Sequence, residues 1–237
     1  MKRIHALAVA VLLAFAPAAQ AQTASGSLDA KWSEGAQDCK AHFEPPLQVH
    51  RYNATTYILR EDLCSTFEAP FMYLLIGQKR ALLIDTGDVA DPKAMPLAKT
   101  VTALLPHGLP LLVVHTHRHM DHRAGDPQFA TLPNVQVVGY DIDSVKRFYD
   151  FTRWPEGVAQ VDLGGRVIDV LPTPGHNETE VSFYDRNTAL FFSGDFLMPG
   201  RLLVDDASAY VASANRAVAF LKDKPVRATL AGHIEMT

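Results

Sequence analysis

The chain has 237 residues, 48% of them hydrophobic and 20% charged, with a formal net charge of −4 at pH 7. This length provides one sizeable globular core or at most two small ones. The charge is small and spread along the chain, with no run of Lys or Arg, so we expect no nucleic-acid partner and no binding to an anionic membrane surface.

Residues 1–21 have the layout of a bacterial-type secretory signal. They combine a basic start at Lys2 and Arg3, an apolar stretch over residues 6–16 and a small-x-small motif that ends at Ala21. This pattern predicts cleavage after Ala21 and export to the periplasm or the medium. The alternative is a membrane anchor, but the apolar stretch is too short to span a bilayer comfortably. We therefore expect a soluble mature protein without membrane contact.

The chain contains two cysteines, Cys39 and Cys64, which are 25 positions apart. In an oxidising compartment they can form one disulfide that holds the N-terminal segment. The alternative is two unrelated thiols. Neither cysteine belongs to a CxxC motif, so a cysteine-based metal site is not indicated.

The rest of the chain is predicted to alternate strands with helices after a polar, irregular lead-in over residues 22–46. The predicted strands are 49–59, 71–76, 80–84, 111–114, 135–138, 167–171, 181–184, 189–192 and 228–230, and the predicted helices are 92–105, 141–149 and 206–221. Strands 71–76 and 80–84 are expected to form a hairpin at Gly77. We see no internal repeat and no low-complexity linker, so residues 47–237 are interpreted as one layered α/β domain.

A histidine-rich segment, VVHTHRHMDHRAG at 113–125, follows strand 111–114 directly. On extended chain, residues two apart point to the same side, so His117 and His119 can approach one ion together. A turn into a helix start would then direct Asp121 and His122 to a second position nearby. Imidazole and carboxylate are ligands that zinc and similar metals accept. A histidine-rich surface loop is the alternative, but the full HxHxDH pattern directly after a strand favours a metal site.

The segment THRHMDHRAG at 116–125 resembles the THxHxDHxxG signature of the metallo-β-lactamase superfamily. Three further motifs resemble those of the family and occur in its order, each after a predicted strand: PGH at 174–176, SGD at 193–195 and AGH at 231–233. The motif LLIDTG at 82–87 is also typical of the family's N-terminal half. The resemblance covers about residues 49–233 and implies a four-layer αββα sandwich of the metallo-β-lactamase type.

The resemblance also implies the metal ligands. It assigns His117, His119 and His176 to one ion, and Asp121, His122 and His233 to the other, with Asp195 bridging the two. The expected cofactors are two Zn²⁺ ions, with other divalent metals such as Fe or Mn as alternatives. Two ions that share one water lower its pKa to near neutrality, so we expect hydrolysis without a covalent enzyme intermediate. Asp121 is the predicted catalytic residue because it can orient the hydroxide or carry its proton.

We therefore predict a periplasmic dinuclear zinc hydrolase that cleaves an ester, thioester, lactone or amide bond of a small molecule. The second hypothesis is a β-lactamase, although β-lactamases of the superfamily commonly have cysteine or serine in place of Asp195. A di-iron oxidoreductase is a third hypothesis, but His119 stands where that group has glutamate, and no flavin domain is present. A non-catalytic binding module is a fourth, which the full set of seven predicted ligands disfavours.

Two further expectations concern Arg201 and the C-terminus of the sequence. Arg201 follows Asp195 by six residues and is either a substrate-binding guanidinium in the cleft or a solvated loop arginine. Glyoxalase-type relatives carry a helical domain after the last histidine, whereas this sequence ends four residues after His233. We therefore expect either an unusually short C-terminus or a truncated sequence, and the oligomeric state stays open.

Overall fold

The computed structural model describes residues 23–41 and 44–234, so the predicted secretory signal at 1–21 lies outside the described residues. The strands are β1 Leu47–Asn53, β2 Thr56–Glu61, β3 Phe71–Ile76, β4 Ala81–Ile84, β5 Leu111–Val114, β6 Val135–Val137, β7 Ala159–Asp162, β8 Val167–Pro172, β9 Val181–Asp185, β10 Leu190–Gly194 and β11 Ala228–Ala231. The α-helices are α1 Leu97–Leu104, α2 Ile142–Tyr149 and α3 Ala207–Leu221. Among the described residues, no helix is long and apolar enough to cross a membrane.

The strands form two mixed sheets. The first has the order β1-β2-β3-β4-β5-β6, and the second has the order β11-β10-β9-β8-β7. The pairs β4–β5, β5–β6 and β10–β11 are parallel, while the remaining neighbours are antiparallel. The predicted hairpin is present, since β3 pairs with β4 and Gly77 N donates to Arg80 O at 3.0 Å.

The main core lies between the two sheets, and β4 shows why. Successive side chains of a strand point to opposite faces. Leu82 and Ile84 accordingly join Val170 and Phe183 of the second sheet in one apolar cluster. Leu83, which points the other way, belongs to a separate cluster on the outer face. A strand buried on both faces reads as a continuous apolar run, as ALLI does here.

Helices cover the two outer faces. Leu97 and Val101 of α1 pack with Leu83 on the outside of the first sheet. On the second sheet, Ala217 of α3 packs with Leu171. The layer order is therefore helix, sheet, sheet, helix, which confirms the predicted αββα sandwich.

Two helices begin where their capping residues predict. Asp141 accepts from Ser144 N ahead of α2, and Asp206 accepts from Ala209 N ahead of α3. Such side chains pair backbone N–H groups that have no partner within the helix. The helix predicted from residue 92 begins later, after Pro96, because residues 91–95 form a separate turn in which Met95 N donates to Asp91 O at 2.9 Å.

One strand prediction was wrong, and one strand was missed. The single strand predicted over 49–59 is the hairpin of β1 and β2, in which Asn53 pairs with Thr56 and the Asn53 side chain accepts from Thr55 N at 2.9 Å. Asparagine favours turns because its side chain bonds the backbone two residues on. Strand β7 was not predicted, and it lies at an edge of the second sheet, where it is only partly buried.

The described residues of the lead-in, 23–41 and 44–46, form no helix or strand, and they are attached to the sandwich. Cys39 and Cys64 form a disulfide, which decides between the two alternatives left open for these residues. The buried guanidinium of Arg60 in β2 donates to Ser33 O at 3.0 Å. Both contacts tie the lead-in to β2 and to the loop that follows it.

Candidate metal centre

The predicted site residues follow the ends of four strands. The histidine segment begins directly after β5, and His176, Asp195 and His233 come after β8, β10 and β11. Met120–His122 forms a short 3-10 turn that reverses the chain inside the histidine segment. Loops positioned by a rigid pair of sheets therefore bring residues from distant parts of the sequence together.

The first cluster consists of three imidazoles. His117 Nε2 lies 3.0 Å from His119 Nδ1, and His176 Nε2 lies 3.1 Å from the same atom. His117 and His176 are buried, and His119 is half-buried. Three ring nitrogens thus converge on one point, as the extended HxH pattern predicts.

The second cluster combines carboxylates with imidazoles. Asp121 Oδ2 lies 3.2 Å from His122 Nε2 and 3.1 Å from His233 Nε2. The two Nε2 atoms of His122 and His233 are themselves 3.2 Å apart. Asp195 completes this group, whose ligand atoms all lie within 4.8 Å of one another.

Asp195 stands between the two clusters. Its Oδ2 is 3.6 Å from His176 Nε2 of the first cluster, and its Oδ1 is 3.5 Å from His122 Nε2 of the second. Oδ1 is buried and has no hydrogen-bond partner among the residues that the structure describes. A buried carboxylate oxygen without a partner is costly, and a cation at this point would satisfy it.

The outer nitrogens of three rings are held by acceptors. His176 Nδ1 donates to Leu203 O at 2.7 Å, and His233 Nδ1 donates to Glu68 O at 2.8 Å. His122 Nδ1 donates to the Asp85 carboxylate at 2.9 Å. Since these acceptors require the ring proton on Nδ1, each neutral ring turns a bare Nε2 lone pair toward the clusters. The imidazole nitrogens and carboxylate oxygens of the two clusters therefore fit as ligands of two divalent cations of the zinc type.

The electrostatics of the first cluster favour neutral imidazole. Burial, together with the neighbouring His122, holds the pKa of His117 well below its usual range. Burial and the adjacent His176 likewise lower the pKa of His119. Both rings are thus in the form that binds a metal at neutral pH.

The carboxylates of the second cluster are ionised. Burial would raise the pKa of Asp121, but hydrogen bonds from His122 and His233 outweigh it and lower that pKa. For Asp195, burial is again outweighed, in this case chiefly by His122. Burial would lower the pKa of His122, yet Asp195 and Asp85 raise it well above the ordinary value. The site thus concentrates negative charge that a cation can neutralise.

Three supporting residues were missed from the sequence. Asp85 holds both His122 and the backbone of the histidine segment, Asn177 Nδ2 lies 3.1 Å from His119 Nε2, and Glu180 Oε1 accepts from Asp195 N at 3.0 Å. Asp85 belongs to the LLIDTG motif, which was the available signal for it. For Asn177 and Glu180, only proximity in the sequence to His176 pointed to the site.

The structure brings all seven predicted ligands together but leaves Arg201 outside both clusters. Arg201 is exposed on the loop after Asp195, and within the described residues no hydrogen bond or ion pair involves it. His115, the remaining member of the histidine run, is also outside. It is buried with its Nε2 2.8 Å from Asp126 Oδ1.

The fold and this double cluster define an α/β metallohydrolase. The family model of the metallo-beta-lactamase superfamily matches residues 65–233, more than half of the chain. The chain belongs to that superfamily, and the predictions of the family and of a hydrolase are confirmed.

Curated relatives of the chain are named as a thioesterase and as a hydroxyacylglutathione hydrolase. An acyl-coenzyme A thioesterase MBLAC2 from Gallus gallus is 26% identical over 205 residues, covering 70% of this chain and 72% of the relative. A hydroxyacylglutathione hydrolase from Anaeromyxobacter dehalogenans is 33% identical over 112 residues, covering 47% of this chain and 40% of the relative. The chain thus matches less than half of the second protein.

Solved structures agree on the fold. A metallo-beta-lactamase from Hirschia baltica superposes with a TM-score of 0.61 at 17% sequence identity, covering 81% of this chain and 92% of the other. At this identity, the likeness shows the architecture and carries no statement about substrate.

Proposed function

We propose that this protein is an exported dinuclear zinc hydrolase that cleaves the thioester bond of a small molecule, with esters, lactones and amides as chemically related substrates. The observation that carries the proposal is the position of Asp195. Its two oxygens face different clusters, and Oδ1 is buried without a hydrogen-bond partner in the described part of the chain. Such a carboxylate suits a bridge between two cations. His117, His119 and His176 would hold one ion, and Asp121, His122 and His233 the other.

Two such cations lower the pKa of water to near neutrality and polarise a carbonyl oxygen. The protein's own side chains would carry out the proton transfers. Asp121 is the most exposed member of its cluster, with a side chain 20% accessible. It would accept the proton that the attacking water loses and return it to the departing thiolate, so that a carboxylic acid and a thiol leave.

The thioester assignment is supported by the curated relatives, which are named as thioesterase and hydroxyacylglutathione hydrolase. β-Lactam hydrolysis is the second candidate, because the predicted export would bring the protein to the periplasm, where a β-lactamase works. Asp195 stands where β-lactamases of the superfamily commonly have cysteine or serine, which favours the first candidate.

We infer export from the signal pattern of residues 1–21 and from the disulfide between Cys39 and Cys64. Disulfides persist in oxidising compartments such as the bacterial periplasm. Fractionation of cells that express the full chain tests this, since export predicts a mature protein that begins at Gln22.

Metal analysis and hydrolysis of acyl thioesters by the zinc-loaded protein test the proposal together. We expect two zinc ions per chain and turnover that a chelator abolishes and zinc restores. Asp121→Ala should lower kcat by at least 100-fold, because general acid–base groups contribute factors of about 10² to 10⁴. Asp143→Ala, at an exposed position on α2, is the matched control and should retain full activity.

Three results would redirect the assignment. Turnover of a chromogenic β-lactam without turnover of thioesters would support the β-lactamase. Two irons per chain with redox activity would support the oxidoreductase. Metal binding without hydrolysis of any substrate in the panel would support a binding module.

A further inference from the structure

An apolar cavity of about 170 Å³ lies between the lead-in, β3 and the end of β11. Its walls include Leu28, Trp32, Phe71, Tyr73, Pro199 and Ile234. The cavity borders the segment that carries His233. Phe71 N donates to Gly232 O at 2.8 Å, Tyr73 Oη donates to Ala231 O at 2.5 Å, and Ile234 directly follows the histidine.

Within the part of the chain that the structure describes, the lining offers no charge and little unused polarity. No described Asp, Glu, Lys or Arg lines the cavity, and its polar rings already have partners. His50 Nε2 donates to Ser27 O at 2.7 Å, and the Tyr73 hydroxyl is engaged with Ala231. A charged or strongly polar group placed here would lose its hydration without compensation, so the walls favour an apolar occupant.

The lead-in forms one wall of this cavity and is held in place. The Trp32 ring packs edge-on against Phe71, with the ring centroids 5.1 Å apart. Ser27 N donates to Tyr52 O at 3.0 Å, and the Cys39–Cys64 disulfide fixes the far end of the segment. The cavity is thus a built feature of this chain that its own N-terminal segment completes.

We infer that this cavity binds the apolar acyl chain of the substrate, an inference that rests on the proposed thioester hydrolysis. Of the two ends of such a thioester, the thiol carriers coenzyme A and glutathione are charged, and only the acyl end suits an uncharged wall. An apolar cavity of about 150 Å³ can hold benzene, so this one accommodates a chain of roughly six carbons. His233, one residue from the wall, would place the carbonyl end of that chain at the second cluster.

A series of thioesters with one thiol carrier, N-acetylcysteamine, and acyl groups from acetyl to decanoyl tests the inference. We expect kcat/KM to rise roughly fourfold with each methylene, the factor for burying one CH₂, and to level off near six carbons. Equal kcat/KM for all chain lengths would overturn the acyl site but leave thioester hydrolysis intact. Failure to hydrolyse any member would instead contradict the proposed function.

Two variants locate the effect. Leu28→Glu adds a charge to the cavity, and Thr229→Trp fills it from an exposed strand position. Both should lower the hexanoyl-to-acetyl ratio of kcat/KM at least tenfold. Val49→Glu is the matched control, because Val49 is 41% exposed against 42% for Leu28 and lies outside the lining.

Calorimetry supplies a readout independent of turnover. A non-hydrolysable hexyl thioether of N-acetylcysteamine should bind saturably to the wild-type protein and to Val49→Glu, and at least tenfold more weakly to Leu28→Glu. Absence of saturable binding to the wild-type protein, or equal binding to all three, would overturn the inference.

Discussion

Asp85 joins the two halves of the histidine segment. Its Oδ2 accepts from His122 Nδ1 at 2.9 Å, and its Oδ1 accepts from Thr116 N at 2.7 Å. One carboxylate at the end of β4 therefore sets both the ring of a predicted ligand and the backbone that leads to it. A carboxylate behind a metal-binding imidazole fixes the tautomer and raises the basicity of the ring.

Replacing this carboxylate should weaken metal binding. Asp85 has φ of 65°, a left-handed conformation that asparagine tolerates, so Asp85→Asn keeps the backbone while removing the charge. We expect zinc affinity and kcat/KM to fall by about 10- to 100-fold. Competition with a chromogenic chelator measures the affinity. Asp150→Asn, at φ 56° but after α2, is the control, and equal affinities in the two variants would contradict this role.

Gly232 is required for space beside the cluster. A Cβ at this position would lie 2.4 Å from Asp195 Oδ1 and 2.6 Å from His122 Cε1. We expect Gly232→Ala to displace one of these ligands, to lower the zinc content below two per chain and to reduce kcat/KM by about 100-fold, the cost of a misplacement near 1 Å. Gly108→Ala, where a Cβ meets no heavy atom within 4 Å, should keep its zinc, and a fully loaded Gly232→Ala protein would refute the argument.

Glu61 should make stability depend on pH. Burial raises its pKa from 4.5 to about 7, although an N–H from Asp88 opposes the shift. Between these values the folded protein binds this proton more tightly than the unfolded chain does, so the contribution of Glu61 to stability is greatest below pH 4.5 and declines as pH rises to 7. Ionisation of Glu61 should therefore lower the free energy of unfolding by roughly 3 kcal/mol between pH 4.5 and pH 7.

Urea unfolding of metal-free protein at pH 5 and pH 8 measures this effect. Glu61→Gln should make the decline smaller because the amide does not ionise. Glu34→Gln, at an exposed position, should retain the wild-type slope. The same pH dependence in all three proteins would exclude Glu61 as its source.

The disulfide should stabilise the fold chiefly through the unfolded chain. It closes a loop across 25 positions, for which loop entropy predicts about 3.5 kcal/mol. We expect the Cys39→Ser/Cys64→Ser variant to lose an amount of this order in urea unfolding. Reducing agent should destabilise the wild-type protein similarly and leave the variant unchanged. A variant as stable as the oxidised wild type would show that the bridge contributes nothing.

Much of the architecture could be predicted because local rules govern it. Strands β3 and β5 were predicted with the observed limits, since continuous apolar runs with clear ends signal buried strands. The hairpin turn at Asn53 was missed because flanking residues of similar character masked it. Strand β7 was missed because an edge strand half exposed to solvent has no strong apolar pattern.

The sequence by itself determined the candidate ligands and the family, because seven residue types in a strict order and spacing leave few alternatives. Only the tertiary structure decided that Asp195 faces both clusters, that Asp85 holds His122, and that Trp32 of the lead-in meets Phe71 and Ile234 around an apolar cavity. These relationships join residues up to about two hundred positions apart. They depend on how two sheets and a disulfide-held segment pack, which no local pattern encodes.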